Sequence, residues 1–270
     1  MEDNENDRTG KMKNGNLWDD DAFGSPCKGY REISEHDEEY YFTVRRFDGR
    51  PENEGGSVKM DMTNRQRRDA GLAYISDDTV FEEQLVCRKI LQKLNFMDRS
   101  DFAGIKETVK ELFGKSEDAF VNPPFYCDYG KHIEVGKNFF ANYNCTLLDV
   151  AKIKIGDNCQ MAPNVAIYTA GHPIHPVSRN SAYEYGKEVT VGDNVWFGGN
   201  TVVCPGVHIG DNVVIGAGSV VTRDIPDWCI AAGNPCRVIR KITEKDMRKL
   251  FRDEEIDGEA WQDILERMDF

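Results

Sequence analysis

No run of eighteen apolar residues occurs in the 270-residue chain, and its opening, MEDNENDRTGKMKNGN, has no apolar core. Neither a spanning helix nor a secretory leader is therefore expected, and no membrane partner. A basic excess is missing as well. The 34 Lys and Arg against 47 Asp and Glu leave a formal charge of −13, which disfavours a nucleic-acid partner because phosphate contacts need net or local positive charge. Paired cysteines are absent: Cys27, Cys87, Cys127, Cys145, Cys159, Cys204, Cys229 and Cys236 form no C-x-x-C motif, which argues against a zinc site and a redox motif. Several of them, Cys145 and Cys159 most clearly, fall where an interior needs a small apolar residue, so buried free thiols in a reducing compartment, the cytoplasm, are expected.

What is present is a repeat. From Val191 to Val221 the chain reads VGDNVW FGGNTV VCPGVH IGDNVV IGAGSV V. Val191, Phe197, Val203, Ile209, Ile215 and Val221 recur every six residues, and most are followed four positions later by Val, Thr, Ser or Ile. That spacing gives each unit two inward positions and is neither helical nor that of hairpins. It predicts a parallel β-helix in which each unit is one flat side of a coil and three sides make a turn. A β-sandwich, with strands every eight to twelve residues, would not keep so strict a period. Weaker units reach back through Ile167, Met161 and Ile155 to Val135 and Ile133. The period stops between Ile167 and Val189, where polar sequence with Gly171, Pro173, Pro176 and Gly186 reads as a loop, 168–188, extruded from one corner of the coil. Loops of that length in compact folds usually serve function.

The flanks differ from the coil. Residues 1–56 are acidic, polar and without apolar period beyond Tyr40–Val44, and read as a mostly disordered arm. Residues 57–121 read as a helical subdomain. FEEQLVCRKILQKLNFM would place Phe81, Leu85, Ile90 and Leu94 on one face, and a second helix would open at Ser100 and close at Gly114. The coil is expected over 122–242, and 243–270 as a helical tail with a break near Gly258.

Several ordered blocks carry a resemblance: Asp69–Tyr74, Pro123–Gly130, Phe140–Asn144, Ala170–Pro173, Val195–Gly199 and Ala231–Ile239. Together they resemble the maltose and galactoside O-acetyltransferase branch of the hexapeptide-repeat acyltransferases. The resemblance implies a mainly β fold, a left-handed parallel β-helix. It also implies a homotrimer whose active sites lie between neighbouring chains, acetyl-CoA as co-substrate, and a small sugar as acceptor. No metal is expected.

By the same resemblance His172, flanked by Gly171 and Pro173, is the general base, and His175 structural or lining. Asn142 is the transition-state donor, although alone it would read as a corner residue capping its own turn. Backbone amides near Gly198 and Gly199 are a rival donor. Asp128 and Asp149 match acceptor positions, and Asp149 could instead orient His172. Where some relatives carry an acceptor carboxylate this sequence has Ser76, a departure that leaves the acceptor open. Gly199, Ala217, Thr222, Arg223, Arg237 and Arg240 are the expected coenzyme A contacts; for the two arginines a solvated edge strand is the alternative. Three other functions share the coil: acetylation of a hydroxylated antibiotic or amino acid, a non-catalytic scaffold, and a zinc hydratase needing His132, His172 and His208 to converge.

Overall fold

The computed structural model describes residues 61–268. The expected acidic arm, 1–56, lies outside the described residues, as does Cys27.

Three capped helices come first. α1 (Asn64–Asp69) starts at Thr63, which forms a capping box with Gln66. α2 (Asp78–Asn95) starts at Asp77, whose carboxylate accepts the amides of Thr79 and Val80, and α3 (Phe102–Leu112) at Asp101, which accepts the amide of Gly104. The buried face of α2 is Val80, Cys87, Leu91 and Leu94. This corrects the expected face: Phe81 and Leu85 are exposed, because α2 meets the first turns of the coil through the side that carries Cys87.

The coil has three faces, each a parallel sheet. Strands 133–135, 153–155, 189–191 and 208–209 form the first face. The second is built from 119–121, 139–141, 160–161, 196–197, 214–215 and 229–232, and closes with the antiparallel strand Arg237–Lys241. The third is built from 125–127, 145–148, 166–168, 202–203 and 220–221. All six residues of the repeat between Val191 and Val221 are buried, and so are the second inward residues Val195, Thr201, Val207, Val213, Ser219 and Ile225. Cys145 and Cys159 lie in the core as free thiols.

One corner shows why Asp-Asn recurs in the sequence. Asn138, Asn158, Asn194 and Asn212 all have φ near +55° to +57°, a conformation Asn tolerates better than other side chains. Each amide donates to the next, Asn138 to Asn158 at 2.9 Å, Asn158 to Asn194 at 3.0 Å and Asn194 to Asn212 at 2.9 Å. Beside them the carboxylates of Asp157, Asp193, Asp211 and Asp227 each accept a backbone amide from the turn before. Both ladders run straight past the point where loop 168–188 leaves.

The chain ends with a 3-10 turn at 244–246, a small hairpin (249–251 with 254–255), and a helix, Gly258–Arg267. Gly258 opens this helix rather than breaking one, since the Asp257 carboxylate accepts the amides of Glu259 and Ala260. Among the described residues no helix is long and apolar enough to cross a membrane.

Candidate active site

The extruded loop is anchored. Its strand Ala170–Gly171 pairs antiparallel with Tyr183–Gly186, which pairs on its other edge with Tyr74–Ile75 of the helical subdomain. Gly171 lets the Tyr185 ring lie close over this junction, where a Cβ would stand 2.6 Å from it. Gly171 faces Tyr185, the neighbour of Glu184; exposed His172 follows as the first residue past this pairing, and Glu184 is itself the register partner of Tyr74. Cross-strand neighbours in such a pair are roughly 5 Å apart at their Cβ atoms. His175 caps the four-residue helix Pro176–Arg179, its Nδ1 accepting the Val177 amide at 3.3 Å.

Around Glu184 the structure gathers polar groups. The Ser76 hydroxyl hydrogen-bonds Glu184. The Tyr74 hydroxyl is fully buried and meets no hydrogen-bond partner among the described residues, and burial, then the charge of Glu184, push its pKa above the usual range. Burial, with the charges of Asp149 and Glu184 nearby, pushes the Asp128 carboxyl up to about 6 against the opposing pull of Arg88. Asp149 is fully buried. Its Oδ1 accepts the amides of Asp128 and Tyr129 at 2.9 Å each, and its Oδ2 accepts the His132 amide at 3.2 Å. Asp149 thereby fixes the turn that presents Asp128, and none of these bonds goes to His172. Glu184 escaped the sequence reading because its partners Tyr74 and Ser76 lie over a hundred residues earlier. The only local signal was the length and polarity of the loop.

Asn142 belongs to another corner, where the second face turns into the third. Its Oδ1 accepts the Tyr143 amide at 2.8 Å. The amides of Asn142, Ala162, Gly198 and Gly216 bond the carbonyls of Met161, Phe197, Ile215 and Ala231, so these four residues stack in one row. Beside them, Gly199 and Ala217 lie one turn apart, the Gly218 amide donating to the Gly199 carbonyl at 2.8 Å. A Cβ on Gly198 would stand 2.5 Å from the Ala217 nitrogen, so this edge stays free of bulk. Thr222 and Arg223 are exposed and follow Val220–Val221 at the far end of the third face.

The site residues therefore divide between two edges of one face. Asn142, Gly199 and Ala217 stand where the chain enters the third face, and His172, Thr222 and Arg223 where it leaves. Leu148 is the register partner of Tyr168, so the four-residue strand Cys145–Leu148, with the turn before it, separates the level of Asn142 from that exit, about 13 Å or more at about 3.3 Å per residue. One chain does not bring Asn142 and His172 together. His132 bonds the Asp149 carbonyl and His208 bonds Thr190, and among the described residues no group of three or more His, Cys, Asp or Glu could hold a metal ion.

The arginines of the last strand differ. Arg240 makes two bonds of 2.8 Å to Asp246, a pair that holds the Asp246 carboxyl down at about 2. Arg237 is exposed and donates to the Cys236 carbonyl at 2.7 Å.

Comparison with known proteins places this geometry. Residues 188–223 match the bacterial transferase hexapeptide (six repeats) family. The chain is 43% identical over 203 residues to the galactoside O-acetyltransferase of Escherichia coli, covering 74% of this chain and 99% of that protein. A putative acetyltransferase of Saccharomyces cerevisiae is 55% identical over 157 residues, covering 58% of this chain and 80% of that protein. Among solved structures, a maltose O-acetyltransferase from Clostridium difficile superposes with a TM-score of 0.67 at 49% identity, over 68% of this chain and 99% of that one. A galactoside acetyltransferase in complex with coenzyme A gives 0.71 at 40% identity, over 73% of this chain and all of the other. At this identity and coverage the chain belongs to the galactoside and maltose O-acetyltransferase family of hexapeptide-repeat acyltransferases.

Proposed function

We propose that this protein transfers the acetyl group of acetyl-CoA to a hydroxyl of a small sugar, at sites shared between neighbouring chains of a homotrimer. One observation carries the reading: Asn142 stands where the chain enters the third face and His172 in the loop that leaves at its exit, so a site containing both needs a second chain to supply one of them. The solved complex of a relative with coenzyme A supports the donor, and the relatives named for galactosides and maltose support the acceptor.

In this reading His172 accepts the proton of the acceptor hydroxyl, which is too weak an acid to attack unaided at neutral pH. The oxygen adds to the thioester carbonyl, the tetrahedral intermediate collapses, and the coenzyme A thiolate leaves with the proton that His172 held. Asn142 has its Oδ1 engaged by the Tyr143 amide, which leaves its Nδ2 to donate to the developing oxyanion. A fixed donor there is worth roughly 3–4 kcal/mol. Asp128, Glu184 and Ser76 offer the acceptor charged and neutral hydrogen-bond partners beside His172. The smooth row with Gly199 and Ala217 suits the pantetheine arm, and Thr222, Arg223 and Arg237 the phosphate end.

Coexpression of two impaired variants, Asn142→Ala and His172→Ala, tests the shared site. Mixed trimers contain sites with both residues intact, so thiol release from acetyl-CoA with glucose, maltose or a galactoside should rise well above the residual rate of either variant alone. No recovery in demonstrably mixed trimers would place both residues in one chain's site. Absence of thiol release by the unmodified protein with every hydroxyl acceptor would favour a scaffold.

A further inference from the structure

We propose that Cys87 and Cys127 form a reversible oxidative crosslink that pins α2 to the coil beside the acceptor pocket. Their sulfurs stand 3.5 Å apart, in van der Waals contact and about 1.5 Å beyond a disulfide bond. The pair is held there from both sides. Towards one end of α2, Asn95 exchanges two hydrogen bonds with the backbone of Phe125, at 3.0 and 2.9 Å. Towards the other, the Gln84 amide donates to the Tyr129 hydroxyl at 3.2 Å. The segment 125–129 thus lies along α2 with the two thiols between two fixed ties, and the next residue after Cys127 is Asp128.

A second, independent feature gives a small oxidant access. A cavity of about 190 Å³ opens against Cys87, lined also by Glu83, Val86, Ile90, Tyr129, Lys131 and His132. It is large enough for hydrogen peroxide and far too small for a protein oxidant. Cys127 does not line it. Its place away from the cavity makes Cys127 the second sulfur to react, although its hydrogen bond with Cys87, then burial, push its thiol pKa up.

The chemistry closes with peroxide as the only co-reactant. The Cys87 sulfur attacks one peroxide oxygen, the O–O bond breaks, and Cys87 becomes a sulfenic acid as one water leaves. The Cys127 sulfur then attacks the Cys87 sulfur, expelling the hydroxyl as a second water and forming S–S. Two thiols lose two electrons and two protons, and one peroxide becomes two waters. The product ties residues forty positions apart and restrains the unfolded chain, so the oxidised protein should melt higher.

The test uses the full-length protein exposed to hydrogen peroxide under native conditions, then digested without reductant for mass spectrometry. The expected result is a linked Cys87–Cys127 peptide, 2 Da lighter than its separate parts, lost on treatment with dithiothreitol. The melting temperature should rise by several degrees in the unmodified protein and not in Cys87→Ser or Cys127→Ser. Oxidation confined to other cysteines, or Cys87 accumulating as sulfinic acid with Cys127 still free, would overturn the proposal. So would a linked peptide that appears only after denaturation. Because the peptide is read on the unmodified protein, a variant that fails to fold leaves the decision intact.

Discussion

Arg240 grips Asp246 with both arms of its guanidinium, at 2.8 Å on each side, while the side chain of Arg237, three residues earlier on the same strand, bonds among the described residues only the carbonyl of Cys236. An arginine committed to a two-bond fork with a carboxylate offers little to a phosphate, whereas one that spends a single donor on a carbonyl keeps the rest for it. Arg237→Ala is therefore expected to raise the acetyl-CoA KM about tenfold, the equivalent of roughly 1.4 kcal/mol. Arg240→Ala should change it by less than about threefold, and neither should move the sugar KM. Steady-state kinetics with both substrates varied decides it; equal effects from the two arginines would mean the fork opens on binding.

Removing the base should cost chemistry and spare binding. For His172→Ala the expected outcome is a fall in turnover of about two to four orders of magnitude, with coenzyme A affinity by calorimetry unchanged. A loss of affinity in place of turnover would recast His172 as a binding residue.

Glu184→Gln keeps the size and the hydrogen bond to Ser76 but removes the charge at the acceptor pocket. A charge-assisted contact is worth about 1.5–3 kcal/mol, so the sugar KM should rise at least about tenfold while the acetyl-CoA KM stays put. An unchanged sugar KM would make Glu184 a strut for the Tyr74–Ile75 strand.

Asp128 supplies a pH signature. Its carboxyl is pushed from 3.8 up to about 6 in the folded protein, so the folded state binds the proton more tightly than the unfolded chain. Stability from this group is complete below about pH 4 and is lost as the pH rises through about 6. At pH 7.5 the cost is up to about 3 kcal/mol, at 1.36 kcal/mol per pKa unit. Asp128→Asn should accordingly melt higher than the unmodified protein at pH 7.5, with the gain vanishing near pH 4. A gain that persists at pH 4 would have another origin.

These residues were unequally visible in the sequence. The coil was legible because its inward residues repeat every six positions and every one from Val191 to Val221 is buried, a local rule that a single strand of text displays. The α2 face was misread at Phe81 and Leu85, since periodicity counts apolar residues and cannot say that Cys87 sits against Cys127. Glu184 was missed altogether, because what gives it meaning is a strand pairing with Tyr74. The division of site residues between two edges of one face was equally hidden, since only the register of Leu148 with Tyr168 reveals it.

Trp228 stands where the Asn corner would continue, following Asp227 as Asn158 follows Asp157, with φ at +58°. A left-handed backbone costs a bulky residue roughly 1–2 kcal/mol, and Trp228 is half exposed, so its ring recovers little. Trp228→Asn should stabilise the protein by about 1 kcal/mol, read as a higher urea midpoint with an unchanged slope. A lower midpoint would mean the ring covers apolar surface that the coil end needs.

The unbroken Asn ladder has a consequence for how such a protein can diversify. Asn158 bonds Asn194 at 3.0 Å as if nothing intervened, although the segment carrying His172 and Glu184 lies between them in the chain. That segment is an insert on a finished rod. Mutation or recombination can lengthen, shorten or replace it, and the strand at Tyr74 that holds it, while every rung of the rod keeps its neighbours. New acceptor preferences can arise in such a chain without a trial of its folding, whereas a single residue gained within one of the rod's strands would turn the inward side chains of that strand out to water.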